Sequence, residues 1–308
     1  MTMLFSRMLL ATDFSPAAAA AQEVAMVLAT ACRSKLEILS VLEAPSGMDP
    51  EYQVNQVYLE QLRKEANKHM DQLTGRATEK GLKVETALVA GIPSRQINER
   101  AKKLQSALIV MGTRGKSGLA HALLGSTAEG VMRGAPCPVL TVRAGAQITP
   151  HIARVLVPVD FNDCSIEALE YAVQVAKQFR AAVVVLHVVE PASYGLDFTL
   201  AAKGDAKKLK EAVTACLEKY TRAIKSQKIA AEPIVHSGTP GESILAVAAT
   251  KSADLIVLGT HGRKGFTHLV SGSVAEAVVR HAPCPVLTVK SPKFGGLPQR
   301  IIPAATPN

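Results

Sequence analysis

The chain has 308 residues, 48% hydrophobic and 20% charged, with a formal net charge of +9 and no tryptophan. That length favours about two domains, each large enough to bury its own core, and no run approaches the roughly 18 apolar residues of a membrane span. The positive excess is spread evenly: residues 1–146 carry 17 Lys+Arg against 13 Asp+Glu, and residues 147–308 carry 18 against 13. No basic arm marks a dedicated nucleic-acid surface, and five Tyr with seven Phe offer few platforms for base stacking.

Met1 to Ala11 is too short and poorly flanked for a secretory leader, so a soluble cytoplasmic protein with no membrane partner is expected. Met8-Leu9-Leu10-Ala11-Thr12 is an apolar run ending at Asp13, the pattern of a buried parallel strand. Ser15 and Pro16 supply an N-cap and a first helical position for an alanine-rich helix to about Ala31. Lys35 to Leu42 reads as a second strand, and a long helix over Glu51 to Lys80 is closed by Gly81. Val84 to Val89 is a third strand stopped by Gly91-Ile92-Pro93, followed by a helix from Ser94 to Leu104. Leu108 to Met111 forms the fourth strand, Ser126 to Arg133 a helix broken before Pro136, and Val139 to Val142 the fifth strand.

The second half repeats this plan with an offset of 147 residues, and between Ala107–Arg143 and Asp254–Lys290, 22 of 37 residues are identical. The chain is therefore a tandem duplication. Val155 to Val159 runs into Asp160, helices are expected over Ser165 to Phe179, Lys207 to Gln227 and Glu242 to Thr250, and Leu255 to Leu258 leads to a second glycine loop. The expected domains are 1–146 and 147–290, joined across Ala144 to Ile152, with an irregular tail over 291–308. Strands apolar throughout and alternating with helices predict, in each half, a five-stranded parallel α/β sheet of Rossmann-like type with helices on both faces. Ligands of such sheets bind beyond the carboxyl ends of the strands, where Asp13 and Gly112 both fall.

The fourth strand of each half opens into Gly-x2-Gly-x9-Gly-Ser: Gly112, Gly115, Gly125 and Ser126, then Gly259, Gly262, Gly272 and Ser273. Binding phosphate without a metal-rich pocket needs backbone N–H groups aimed at one point, which a helix N-terminus supplies together with its dipole. On this reading Gly112 and Gly259 let ligand approach the backbone, and Gly115 and Gly262 take the positive φ of a tight turn. Gly125 and Gly272 leave the first helical amides open, while Ser126 and Ser273 cap the helix or bind phosphate.

These motifs, in register at two strand ends, resemble the ATP-binding form of the universal stress protein family, and the resemblance covers both halves. It implies an adenine nucleotide alpha hydrolase-like fold and an ATP site in each half. Asp13 with the backbone of Val41, and Asp160 with Val188, would hold the adenosine part. Gly112, Gly115, Gly125, Ser126 and Thr127, with Gly259, Gly262, Gly272, Ser273 and Val274, would hold ribose and phosphates. It also implies a cytoplasmic stress-response role and pairing through the last strands, which a tandem chain can satisfy between its own halves. The function expected is a nucleotide-dependent regulatory module in which ATP orders residues 113–125 or 260–272; the alternatives are a slow ATPase and a nucleotide-free scaffold. Arg114 and Lys116 favour the first half, whereas Asp163 places an extra carboxylate in the second.

Other motifs carry less. Gly115-Lys116-Ser117 imitates the end of a P-loop, but that motif needs a glycine where Val110 stands. His121 and His268 lie in the glycine loops without a paired carboxylate nearby in sequence, so no catalytic role is assigned. Asp13 and Asp160 are open to binding a nucleotide-borne magnesium ion or to capping the next helix. Lys203, Lys207, Lys208 and Lys210 read as a solvated helix face. The five cysteines contain no CxxC pair, and Cys137 and Cys284, repeat-equivalent in Ala-Pro-Cys-Pro-Val-Leu-Thr-Val, read as packing residues rather than redox centres.

Overall fold

Met8, Leu9 and Leu10 are fully buried in β1 (Arg7–Ala11), the strand on which the first half is built. The chain continues through α1 (Pro16–Cys32), β2 (Lys35–Leu42), α2 (Gln53–Glu79), β3 (Val84–Ala90), α3 (Pro93–Leu104), β4 (Leu108–Gly112), α4 (Ser126–Gly134) and β5 (Val139–Val142). All pairings are parallel, in the order β3-β2-β1-β4-β5. The order reverses between β1 and β4, which makes their carboxyl ends the topological switch point. The central strands β1 and β4 are almost wholly buried, whereas β3 is only partly so, as an edge strand requires.

This computed structural model describes residues 4–43, 53–115, 124–190, 201–259, 273–290 and 301–302, and it divides into two units, Met1–Ile148 and Thr149–Asn308. The second unit contains β6 (Arg154–Pro158), α5 (Asp163–Phe179), β7 (Ala182–Val189), α6 (Ala201–Ser226), β8 (Ala231–Ser237), α7 (Pro240–Thr250), β9 (Leu255–Gly259), α8 (Ser273–His281) and β10 (Val286–Val289). Its strands run parallel in the equivalent order β8-β7-β6-β9-β10. Each unit is thus a Rossmann-like α/β domain. Four helices start earlier than the sequence pattern predicts: α3 by one residue, at Pro93, α7 by two, at Pro240, and α5 and α6 as well. α5 begins at Asp163 because Asn162 rather than Ser165 takes the cap, and α6 begins at Ala201, ahead of Lys207. Among the described residues no helix is long and apolar enough to cross a membrane.

In the first unit α1 and α2 are joined by an ion pair between Glu23 and Arg76. α3 and α4 meet through small residues. A Cβ on Gly130 would lie 2.7 Å from the Ser94 Cβ, and one on Gly134 would collide with Asn98. The second unit exchanges which helix carries the glycine: Gly241 of α7 faces Ala277 of α8, where an added Cβ would sit 3.3 Å from the alanine methyl. Both solutions hold the helix that follows the glycine loop close to the preceding helix.

The halves differ most in polarity beneath α3 and α7. Glu37 in β2 is 3% exposed, and its Oε1 accepts a hydrogen bond from Arg100 Nε at 2.6 Å, while Oε2 has no hydrogen-bond partner among the described residues. That hydrogen bond is the main reason Arg100 is held above the ordinary guanidinium range. The equivalent positions in the second unit are Val184 and Val247, both buried. All five cysteines are buried thiols outside any disulfide, and burial pushes the Cys137 and Cys284 thiols up to about 12.

Removing one partner of a buried pair strands the other charge, whereas an apolar pair of similar volume tolerates the same space. Arg100→Val alone is therefore expected to destabilise the first unit by about 3 kcal/mol, and Glu37→Val with Arg100→Val to recover most or all of that loss. Urea unfolding of the four-member cycle measures this, and strictly additive effects would contradict it. For the cysteines, a thiol reagent should label none in the native protein and five after denaturation, because the reactive species is the thiolate. Rapid native labelling at Cys137 or Cys284 would restore a redox role.

Candidate functional site

Asp13 leaves the end of β1 where the chain turns into α1. The residue after it, Phe14, has φ +58°, and its repeat equivalent Phe161 has φ +64°. A left-handed backbone is uncommon for a bulky residue and persists only where surrounding contacts over-determine it. In the first unit Phe14 N–H donates to Thr12 Oγ1 at 3.0 Å, and Asp13 Oδ1 accepts from Ser15 N at 3.0 Å and from Ser15 Oγ at 2.7 Å. In the second, Asp160 Oδ1 accepts from Asn162 N at 3.2 Å and Oδ2 from Asn162 Nδ2 at 3.0 Å. Both aspartates are thereby fixed at the switch point. No signal in the sequence marks the left-handed turn, because phenylalanine is not a residue that favours it.

The last β1–β2 pair is Ala11 with Leu39, and carrying that register two residues on sets Asp13 beside Val41. Pro158 pairs with Leu186, so Asp160 stands beside Val188 in the same way. Val41 and Val188 both lie near the carboxyl ends of their strands and are partly exposed. On its other side Asp13 meets the exit of β4. An added Cβ on Gly115 would fall 2.7 Å from Asp13 Oδ2, so the glycine is required by the closeness of the carboxylate. The expected positive φ is absent at Gly115, which corrects the turn-based reading of that residue. Gly262 lies outside the described residues.

Gly112 and Gly259 are also explained differently. A Cβ on Gly112 would meet the Ala17 carbonyl oxygen and the Ala18 Cα at 3.4 Å, and one on Gly259 the Cys164 Sγ at 2.7 Å. Their Cβ positions face the first turn of α1 and α5, so these glycines admit close helix–strand packing at the strand exits. Gly125 donates its N–H to the Thr113 carbonyl at 3.0 Å, and a Cβ there would lie 3.2 Å from the same oxygen. It closes the loop onto β4 and at the same time acts as the N-cap of α4.

That cap is open. α1 is capped by Ser15, whose Oγ accepts from Ala18 N at 3.2 Å, and α5 by Asn162, whose Oδ1 accepts from Ser165 N at 2.7 Å. α4 receives no side-chain cap: Ser126 is its first helical residue, exposed, and does not fill the capping role expected of it. Thr127 follows in the first turn. The structure thus brings Asp13, Val41, Gly112, Gly115, Gly125, Ser126 and Thr127 to one end of the first sheet. In the second unit Asp160, Val188 and Gly259 occupy matching places, and Ser273 and Val274 open α8. Gly272, His121, His268 and Lys116 lie outside the described residues.

The walls of the two sites differ. Phe14 stacks on His69 of α2 with ring centroids 5.6 Å apart. Phe161 stacks instead on His187 of β7 at 4.6 Å and lies 6.0 Å from Tyr220 of α6. His187 replaces Ser40, and its Nδ1–H donates to the Val159 carbonyl at 2.7 Å, which orients the ring. Asp163 is exposed in the first turn of α5, where the helix dipole favours a carboxylate. Among the described residues there is no group of three His, Cys, Asp or Glu side chains placed to hold a metal ion.

The family model for the universal stress protein family matches residues 4–143 and again 151–290. A universal stress protein of Methanocaldococcus jannaschii is 35% identical over 144 residues, covering 46% of this chain and 83% of that protein. One from Mycobacterium bovis is 29% identical over 215 residues, covering 68% of this chain and 70% of its own length. A crystal structure of a universal stress protein from Archaeoglobus fulgidus superposes with a TM-score of 0.69 at 24% identity, covering 94% of this chain and 99% of that one. The duplicated sheet, the paired aspartates at its switch points and two successive matches to one family model lead to a single assignment: the chain belongs to the universal stress protein family.

Proposed function

We propose that the protein is an adenine-nucleotide-binding regulatory module, with ATP held at the carboxyl end of the first sheet and at the equivalent place in the second. The observation that carries this reading is the uncapped N-terminus of α4 beside Asp13 at the switch point. Unfilled helical amides and the positive end of the dipole suit a phosphate chain. The aspartate, fixed by Ser15, suits the hydroxyls or amino group of a nucleoside. In this reading Asp13 and the Val41 backbone hold the adenosine part, and Gly112, Gly115, Gly125, Ser126 and Thr127 line the ribose and phosphates. Asp160, Val188, Gly259, Gly262, Gly272, Ser273 and Val274 do the same in the second half. Magnesium, if present, arrives with the nucleotide.

The first site is the stronger of the two on this proposal. Arg114, next to Gly115, adds a positive charge where the second half has His261, and Asp163 adds a carboxylate to the second half alone. Occupancy of either site shifts the population of conformations and hence the choice of partner or assembly.

Denaturing freshly purified protein is expected to release adenine nucleotide, and calorimetry of the emptied protein to show an ATP site that Asp13→Ala weakens by about tenfold or more, a loss of roughly 1.4 kcal/mol. Asp160→Ala should affect only the other site. Phosphate release with magnesium and ATP should stay at the protein-free rate. A protein that is isolated empty and binds no added ATP would overturn the proposal.

Gly115→Ala sharpens the test, since its methyl group must displace the Asp13 carboxylate while leaving the core untouched. Binding at the first site is expected to fall by about tenfold with unchanged thermal stability. Gly125→Val should abolish the same site by driving the loop away from the Thr113 carbonyl, and wild-type affinity in both variants would refute the site assignment.

A further inference from the structure

The face of α5 around Glu170 is built differently from its repeat counterpart on α1. In α1 the equivalent positions are Ala19, which is exposed, and Glu23, which is half-buried and engages Arg76 and Lys80 of α2. In the second half those two basic residues become Ala223 and Gln227, so α6 offers Glu170 no cation at those positions. Ile166 and Glu170, one helical turn apart, are nevertheless 8% and 5% exposed.

Two of the groups bound by Glu170 come from far along the chain. Its Oε1 accepts hydrogen bonds from two consecutive backbone N–H groups, Ile301 at 2.7 Å and Ile302 at 2.6 Å. Ile302 is 1% exposed. A carboxylate oxygen that receives two adjacent amides is a strong, charge-assisted anchor for a bent segment, and the aliphatic side chain beside it supplies apolar burial. Residues 301–302 of the expected irregular C-terminal tail are thus fixed without entering a helix or strand.

We infer that the Ile166–Glu170 face of α5 is a docking site for the Ile301–Ile302 segment of the same chain, held in cis through its two consecutive backbone amides. Among the described residues the equivalent glutamate of the first half, Glu23, is instead committed to Arg76 and Lys80 of α2. The same helix carries Cys164 beneath Gly259, so the segment clasps the element on which the β9 exit rests. The inference is independent of nucleotide binding.

Hydrogen exchange read by mass spectrometry on the full chain tests it directly. The amides of Ile301 and Ile302 should exchange at least about 100-fold more slowly than in an unstructured peptide. Glu170→Ala should remove that protection while leaving β6 and β7 protected. Glu170→Gln, which keeps one carbonyl acceptor, should retain part of it and serves as the reading should the alanine variant fail to fold. Ile302→Ala should likewise raise exchange at both amides. Unprotected amides in the wild type, or protection unchanged by Glu170→Ala and diminished by neither other variant, would overturn the docking site.

Discussion

Close approach between a strand exit and the first turn of the following helix is the constraint on which the rest of each unit depends. β9 leaves the sheet against Cys164 at distances that leave no room for a Cβ, and β4 against Ala17 and Ala18, where an added Cβ would already be in contact at 3.4 Å. Because Gly112 and Gly259 admit that contact, the helix after the first strand sits tightly across the switch point. Its capping residue, Ser15 or Asn162, then comes within reach of Asp13 or Asp160. A larger residue at the strand exit would move the helix and with it the aspartate. Packing and site geometry are in this sense one feature, and the glycines act through the protein's own backbone before any ligand enters.

The left-handed phenylalanine after each aspartate belongs to the same arrangement. Turning directly from a buried strand into a helix leaves one residue to absorb the change in direction, and Phe14 and Phe161 take it. Strain of this kind is held by neighbouring contacts. Thr12 binds both the Phe14 amide and the Gln22 side chain, and the ring lies against His69 or against His187 and Tyr220. The left-handed backbone is common to both halves, while the rings packed around it differ.

The same division recurs away from the site. A buried ion pair in one half is a pair of valines in the other. Glycines lie on α4 in one half and on α7 in the other. A glutamate at one helical position binds α2 in the first half and the C-terminal segment in the second. Each exchange is confined to its own helix–sheet or helix–helix contact, and one fold accommodates two sequences that agree closely only from the fourth strand onward.

Much of this was legible in the amino acids alone. The duplication, the alternation of apolar strands with capped helices, the aspartates at the first-strand ends and the glycine-serine pairs ahead of the fourth-strand helices follow from spacing and residue type. Those are short-range properties of the chain. The tertiary structure decided what occupies the space around each of them. Gly115 faces the Asp13 carboxylate instead of adopting a positive φ, Gly112 and Gly259 face a helix, Ser126 leaves α4 uncapped, and Glu170 meets amides 131 and 132 residues away. Spacing reports which conformations a residue favours; which neighbour fills the vacant Cβ position or accepts the buried charge is set by segments distant in sequence, and only the folded chain brings them together.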